Sequence, residues 1–595
     1  MRRSRLAAVV VSATVALSAC GGGATAAVCA PEDGRSVARV WNEVLLEAVR
    51  ADTPAPTVHA RNLFHTSAAM WDASVAYGDR GTSVFLELDR DPDPDAALVA
   101  ISHAAHEVLS ERYRNSVGGT QSLAAFDETL AELCLDVADA DDEGPAADGR
   151  TIARHILDAT IDDGSLELDG YLDLTYFPAN EPLRVAEIGV PVEVPDSWQP
   201  LQLNESITQN DQSQLVGLQS YIGPHWGFVQ PFAMPAAADG LPIDPGPPPR
   251  LDRPADRDRL DAELIEVIRL QSGLDERLGE PIDISPAAFG NNSLGADDGS
   301  GHDGNPITGG AYTPSIVSSA DYGRVVAEYW ADGPRSETPP GHWNVLANEV
   351  SDALPSPHTT AAGAELTRLE WDLRLYLALN GAMHDAAIAA WGAKRSYDSA
   401  RPISLIRHRA ALGQSTDPDA DAFHPDGLPL VDGLIELVTT DSAERHGDLA
   451  PGTIALLAWA GHPTLHDSAD DVRWIDGRTW VPYQLDTFVT PSFPGYVSGH
   501  STFSRAGAVV LEGLTGSAFF PDGLGTFTAP AGSLRFDDGP TTDVTLQWGT
   551  YADAADEAGR SRLYGGIHIA ADDHEGRRIG QRVGEDALAL ARSHF

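Results

Sequence analysis

Lysine is all but absent from this chain of 595 residues. Lys394 is the only one, and the other 39 basic side chains are arginine. Cysteine is nearly as scarce, with three copies at positions 20, 29 and 134. That leaves no cysteine cluster for a zinc or iron–sulfur centre. Long apolar runs are missing beyond the N-terminus, which excludes an ordinary membrane-spanning helix there. Positive charge is short overall: 88 Asp and Glu stand against 40 Lys and Arg, for a formal charge of −48. Such a polyanion is a poor general binder of nucleic acid or of an anionic membrane surface.

What is present is a globular composition, 42% hydrophobic, in a chain long enough for a large core and two or more domains. The 56 glycines and 41 prolines predict long loops. The N-terminus has the form of an export signal: a basic MRRSR, a short apolar LAAVVVSATVA, then LSAC followed by GGG. LSAC resembles a bacterial lipobox. It would end the signal at residue 19 and make Cys20 the lipidated first residue, placing the protein on the extracytoplasmic face of a membrane, or secreted. In that compartment Cys29 and Cys134 could pair; two buried free thiols fit as well.

Apolar spacing is mostly helical. Residues 34–50, 95–113, 257–273 and 362–392 repeat apolar positions at i, i+3 and i+4. Residues 525–547 suggest a short hairpin. A proline-rich stretch at 229–256 and a Gly/Asp-rich stretch at 290–311 interrupt the helices, the latter reading as a solvated loop. A boundary near residue 250 would divide an N-terminal helical half, 20–250, from a C-terminal half, 251–595. AMWDASVA at 69–76 recurs as AMHDAAIA at 382–389. The repeat predicts an all-α fold of two packed helical bundles about a pseudo-two-fold axis, with long loops and minor β-hairpin content.

Three stretches of the C-terminal half concentrate reactive side chains: Lys394 with Arg401-Pro402, then Ser498-Gly499-His500, then Ser561-Arg562 with His568 and Asp572. Three cations in so acidic a chain imply a bound anion. Two guanidinium forks and one ammonium suit a tetrahedral oxyanion such as phosphate or vanadate. Ser498 adds a hydroxyl, and Gly499 lets the backbone come close. The following STFSRAGAVV reads as a helix whose N-terminus is itself an anion site. His568 and Asp572, four apart, are expected on one helix face, with the carboxylate orienting the ring. His500 suits general acid–base work.

These blocks resemble the signature KxxxxxxRP, PSGH, SRxxxxxHxxxD of the vanadium-dependent haloperoxidase and type-2 phosphatidic acid phosphatase superfamily. Val497 stands where the signature has its leading proline. Trp391 and Phe493 sit at the offsets where fungal-type chloroperoxidases carry the aromatic pair of the halide site. AEYWADGPRSETPPGHWN (327–344) and RNLFHTSAAMWDASVAY (61–77) extend a looser likeness to bacterial relatives. The resemblance implies vanadate(V) on His568, with Lys394, Arg401, Arg562, Ser498 and the Gly499 amide around its oxygens. It implies His500 as acid–base, Asp572 behind His568, and Asp332 beside a site arginine. The implied partners are hydrogen peroxide, halide and a small organic substrate. Membrane contact comes only through Cys20, and a homodimer stays open. The same residues would serve an acid phosphatase, with His568 as nucleophile.

Overall fold

A computed structural model describes residues 28–31, 33–137, 143–189, 192–207, 213–214, 217–291, 301–331, 336–354, 358–359, 365–447, 449–461 and 471–595. Cys20, Asp332 and much of the Gly/Asp-rich stretch lie outside them. Among the described residues there are thirteen α-helices. The first five are α1 (Val37–Arg50), α2 (Pro56–Ala76), α3 (Pro94–Tyr113), α4 (Gly119–Glu132) and α5 (Pro145–Ala159). After a long, sparsely regular stretch come α6 (Arg257–Ser272), α7 (Ser319–Tyr329), α8 (Thr338–Ala353), α9 (Arg368–Tyr397) and α10 (Pro402–Leu412). The chain closes with α11 (Gly499–Thr515), α12 (Tyr551–Tyr564) and α13 (Ala570–His594). None of the described helices is long and apolar enough to cross a membrane.

The centre is α2 packed on α9, with α9 also against α11 and α13. Both central helices are buried nearly all round, which is why their apolar pattern is broad rather than one-sided. Their alanines and glycines let neighbouring backbones approach. A capping box starts α9: Thr367 Oγ1 accepts from the Glu370 N–H, and Glu370 accepts from the Thr367 N–H. One hydrophobic cluster runs from Val37 to Ala591 and so spans both halves of the chain.

The two copies of the sequence repeat lie on α2 and α9, which pack on each other, and polar residues of α1–α2 meet polar residues of α8–α9. Asn42 Nδ2 donates to Asn344 Oδ1 at 2.9 Å, each following a tryptophan. Asn380 Nδ2 donates to Ser67 Oγ at 2.9 Å, a separation of 313 residues. Asp72 and Asp385 are separated by the same 313.

Residues on either side of position 210 reach the C-terminal half: Trp198 N–H donates to Asp398 O and Ile222 N–H to Ser492 O. Cys29 and Cys134 are joined in a disulfide, tying the N-terminal segment to the end of α4. The expected hairpin is present, Gly525–Ala529 against Val544–Trp548. A three-stranded antiparallel sheet, Ile435–Leu437, Ile454–Trp459 and Val472–Asp476, was not expected. Its central strand is buried on both faces, so it carries an unbroken apolar run instead of an alternating one.

Candidate active site

The three blocks converge where the end of α9 meets the starts of α10, α11 and α13. Pro402 is the first residue of α10, which holds Arg401 extended at the N-cap (φ −91°, ψ 158°) and turns its side chain away from the helix. Ser498 caps α11, its Oγ accepting from Ser501 N–H at 3.3 Å, and its own N–H donates to Asp572 O. The hydroxyl proton of Ser498 is left to donate elsewhere. Gly499 opens α11, where the first amides find no carbonyl within the helix. A Cβ there would stand 3.3 Å from the Trp391 ring, so the closeness of that ring explains the glycine.

His568 does not share a helix face with Asp572. It precedes α13, and Asp572 reaches back to it from the third helical position, where it also accepts from Ile569 N–H. The i, i+4 rule fails because Ile569, between them, is extended at the N-cap. The contact itself forms: His568 Nδ1 lies 2.8 Å from Asp572 Oδ2. His568 Nε2 lies 3.2 Å from Arg401 Nη1. A guanidinium only donates, so Nε2 holds a lone pair and Nδ1 carries the proton given to Asp572.

Lys394 is fully buried. Its Nζ donates to Pro494 O at 2.7 Å and Gly495 O at 2.9 Å, and lies 4.9 Å from the Phe493 ring centre and 5.7 Å from that of Trp391. Two of its three protons are thus committed to carbonyls. Arg401 donates to Phe493 O and Ile567 O, while its Nη2 is buried with no partner among the described residues. Arg562 donates to Ala327 O at 2.8 Å. His500 Nε2 lies 2.7 Å from Trp330 O. A carbonyl only accepts, so here Nε2 carries the proton and Nδ1 the lone pair.

Burial sets the electrostatics. It lowers the Lys394 pKa well below the usual lysine value, helped by Arg401 and opposed by Asp572. It brings Arg401 down to about 9, with Arg562 adding to the effect and Asp572 opposing it. Both histidines are held well below the ordinary imidazole value, His568 by burial and then Arg401, His500 by burial and then Arg562. Asp572 is pushed up to about 7 by burial against the pull of Lys394 and Arg401. Buried cations that lower one another's pKa, with an orphaned guanidinium nitrogen among them, are a site built for an anion. Vanadate or phosphate fits the donor set.

Trp391 and Phe493 form one wall, ring centres 4.8 Å apart. Phe493 also lines a cavity of about 400 Å³ shared with Pro54, Pro56, Tyr171, Ile222 and Trp226. The expected site residues among those described are therefore brought together. Sequence reading missed the carbonyls that hold them, those of Ala327, Trp330, Phe493, Pro494, Gly495 and Ile567. Backbone oxygens have no residue signature to find.

Residues 374–426 and 449–595 match the family model described as the VCPO second helical-bundle domain. Among solved structures, a holo-type bacterial vanadium-dependent chloroperoxidase is similar at 18% identity over 90% of this chain and 92% of its own, with a TM-score of 0.63. The apo-type structure gives 18% identity, 90% and 93% coverage and 0.62. The first bacterial vanadium-dependent iodoperoxidase gives 19% identity, 92% and 95% coverage and 0.52. At such identities the likeness is one of fold. No curated protein matches the chain.

Proposed function

Since residues 374–426 and 449–595 match the VCPO second helical-bundle domain and the fold is similar to that of bacterial vanadium-dependent haloperoxidases, we propose that the chain oxidises halide with hydrogen peroxide to hypohalous acid, at a vanadate held by His568. The observation that carries this reading is the orientation of His568. Asp572 takes its Nδ1 proton, so the Nε2 lone pair points among the buried cations.

Vanadate, when bound, supplies Lewis acidity that makes peroxide electrophilic toward halide. Arg401, Arg562, Ser498 and the Gly499 amide would hold its oxygens, and the helix starts at α10 and α11 would add their dipoles. The Lys394 ammonium has one proton left over from its two carbonyl contacts, which it would offer to the anion as a compact donor rather than a planar fork. His500 accepts and returns a proton at Nδ1, since Nε2 is committed to Trp330. The overall reaction consumes one proton per halide: halide, peroxide and H⁺ give hypohalous acid and water. Trp391 and Phe493 exclude water on the side from which halide and a small organic acceptor arrive. The disulfide agrees with export, with Cys20 as a lipid anchor or the chain secreted.

The test is halogenation of monochlorodimedone by metal-free protein with peroxide and bromide or chloride, before and after orthovanadate. Vanadate-dependent halogenation is expected. The His568 geometry would equally serve a nucleophile on phosphorus. Release of para-nitrophenol from its phosphate ester, inhibited by vanadate and without halogenation, would assign the site to phosphoryl transfer instead.

A further inference from the structure

Two carbonyls at the end of α7 hold two site residues: Ala327 O takes Arg562, and Trp330 O takes His500. What holds the end of α7 is a carboxylate outside the anion site. Glu557 sits on α12, five residues before Arg562. Its Oε1 accepts from Trp330 Nε1 at 3.1 Å and Trp548 Nε1 at 2.9 Å, and its Oε2 accepts from Tyr322 Oη at 3.0 Å. Tyr322 and Trp330 are two turns apart on α7, so one carboxylate clamps the helix at two points. The Trp330 ring is packed besides between Tyr329 and His342, with centres at 4.8 and 4.7 Å.

Among the described residues Glu557 is bound through neutral donors alone, a costly way to fill a core, since an apolar side chain would brace two helices without desolvating a charge. Its directional bonds do something packing cannot: they fix the rotation of the Trp330 residue whose carbonyl selects the His500 tautomer. Building on the haloperoxidase reading, we propose that Glu557 is a positioning residue for His500, acting through Trp330 to keep the proton on Nε2 and the Nδ1 lone pair toward the anion site.

The experiment uses full-length Glu557→Leu, Trp330→Phe and the double variant. Leucine keeps the bulk but removes both acceptor oxygens, so neither indole N–H nor the Tyr322 hydroxyl keeps its partner there. Phenylalanine keeps the Trp330 carbonyl and an aromatic ring but removes the indole N–H, together with part of the ring's bulk. Each single variant should lower kcat roughly 10- to 100-fold, the range for residues that orient an acting group. Orthovanadate affinity, by calorimetry, and the KM for bromide should hold within about threefold. The double variant should be no worse than the worse single one, because both break one contact. Independently of turnover, carbethoxylation of His500 in the metal-free protein, mapped by mass spectrometry, should quicken severalfold in both singles. Wild-type kcat with wild-type His500 reactivity would overturn the proposal. So would a fall in kcat matched by an equal loss of vanadate affinity, which marks Glu557 as a general brace. If the wild-type chain does not halogenate, the haloperoxidase reading fails, while the His500 reactivity of the two variants still decides whether Glu557 holds that ring.

Discussion

Asp72 on α2 and Asp385 on α9 perform the same structural task 313 residues apart. Asp72 accepts the backbone N–H groups of Val84, Phe85 and Leu86. Asp385 accepts those of Phe232, Ala233 and Met234. Each buried carboxylate thus ties a bent, irregular segment to one of the two central helices, and the pair marks the repeat more clearly than overall sequence does.

Asp385→Ala should destabilise the protein by at least about 3 kcal/mol, because three amides lose their acceptor in a buried setting. Chemical denaturation of wild type and variant measures this. Asp385→Asn should recover part of the loss, since one amide oxygen remains.

His568→Ala should abolish halogenation and, in parallel, any phosphatase activity. Retained turnover of either kind would show that the site has been assigned to the wrong residues.

Lys394→Arg should reduce peroxidative turnover strongly. The ammonium is enclosed by the Pro494 and Gly495 carbonyls and the Trp391 and Phe493 rings. A guanidinium overfills that space, so stability should also fall, by about 1–3 kcal/mol. Unchanged turnover would make the lone lysine an accident of composition.

Anion affinity should fall at alkaline pH. A bound anion raises the pKa of the cations around it. The affinity they contribute is therefore full below their anion-free pKa, and falls from there until pH has risen through the higher, anion-bound pKa. Burial has already lowered Lys394, and has brought Arg401 to about 9, so phosphate or vanadate binding should weaken well before pH 10.5. Binding in that range should take up protons, which calorimetry in two buffers of different ionisation enthalpy reads directly. His568 and His500, held low, stay neutral near pH 7, so binding should persist to mildly acid pH.

Vanadate should stabilise the fold by relieving the self-repulsion of the buried cations. At about a hundredfold excess over Kd the gain is about 2.7 kcal/mol, visible as a rise in melting temperature. A variant lacking His568 should show a smaller shift.

The site was legible because its side chains recur at fixed spacings, Lys394 to Arg401 and Arg562 to Asp572. Asp332 and Cys20 fall outside the described residues and stay as expectations. The relation of His568 to Asp572 was legible as a contact and misread as a helix face, because an N-cap breaks helical spacing without changing residue identity. The three-stranded sheet was not legible because Ile454–Trp459 is apolar on both sides. Cys29 and Cys134 could be read either way until the fold brought them together.

The sequence by itself determined the chemistry: which cations, which two histidines and which hydroxyl this protein can bring to an anion, and that its core is helical. Tertiary structure alone decided which nitrogen of each histidine carries the proton. That choice depends on an Asp572 oxygen for His568 and on the Trp330 carbonyl for His500, the latter set by a carboxylate on another helix. A tautomer is fixed by the geometry of hydrogen-bond partners, and partners far apart in the chain meet only when it folds.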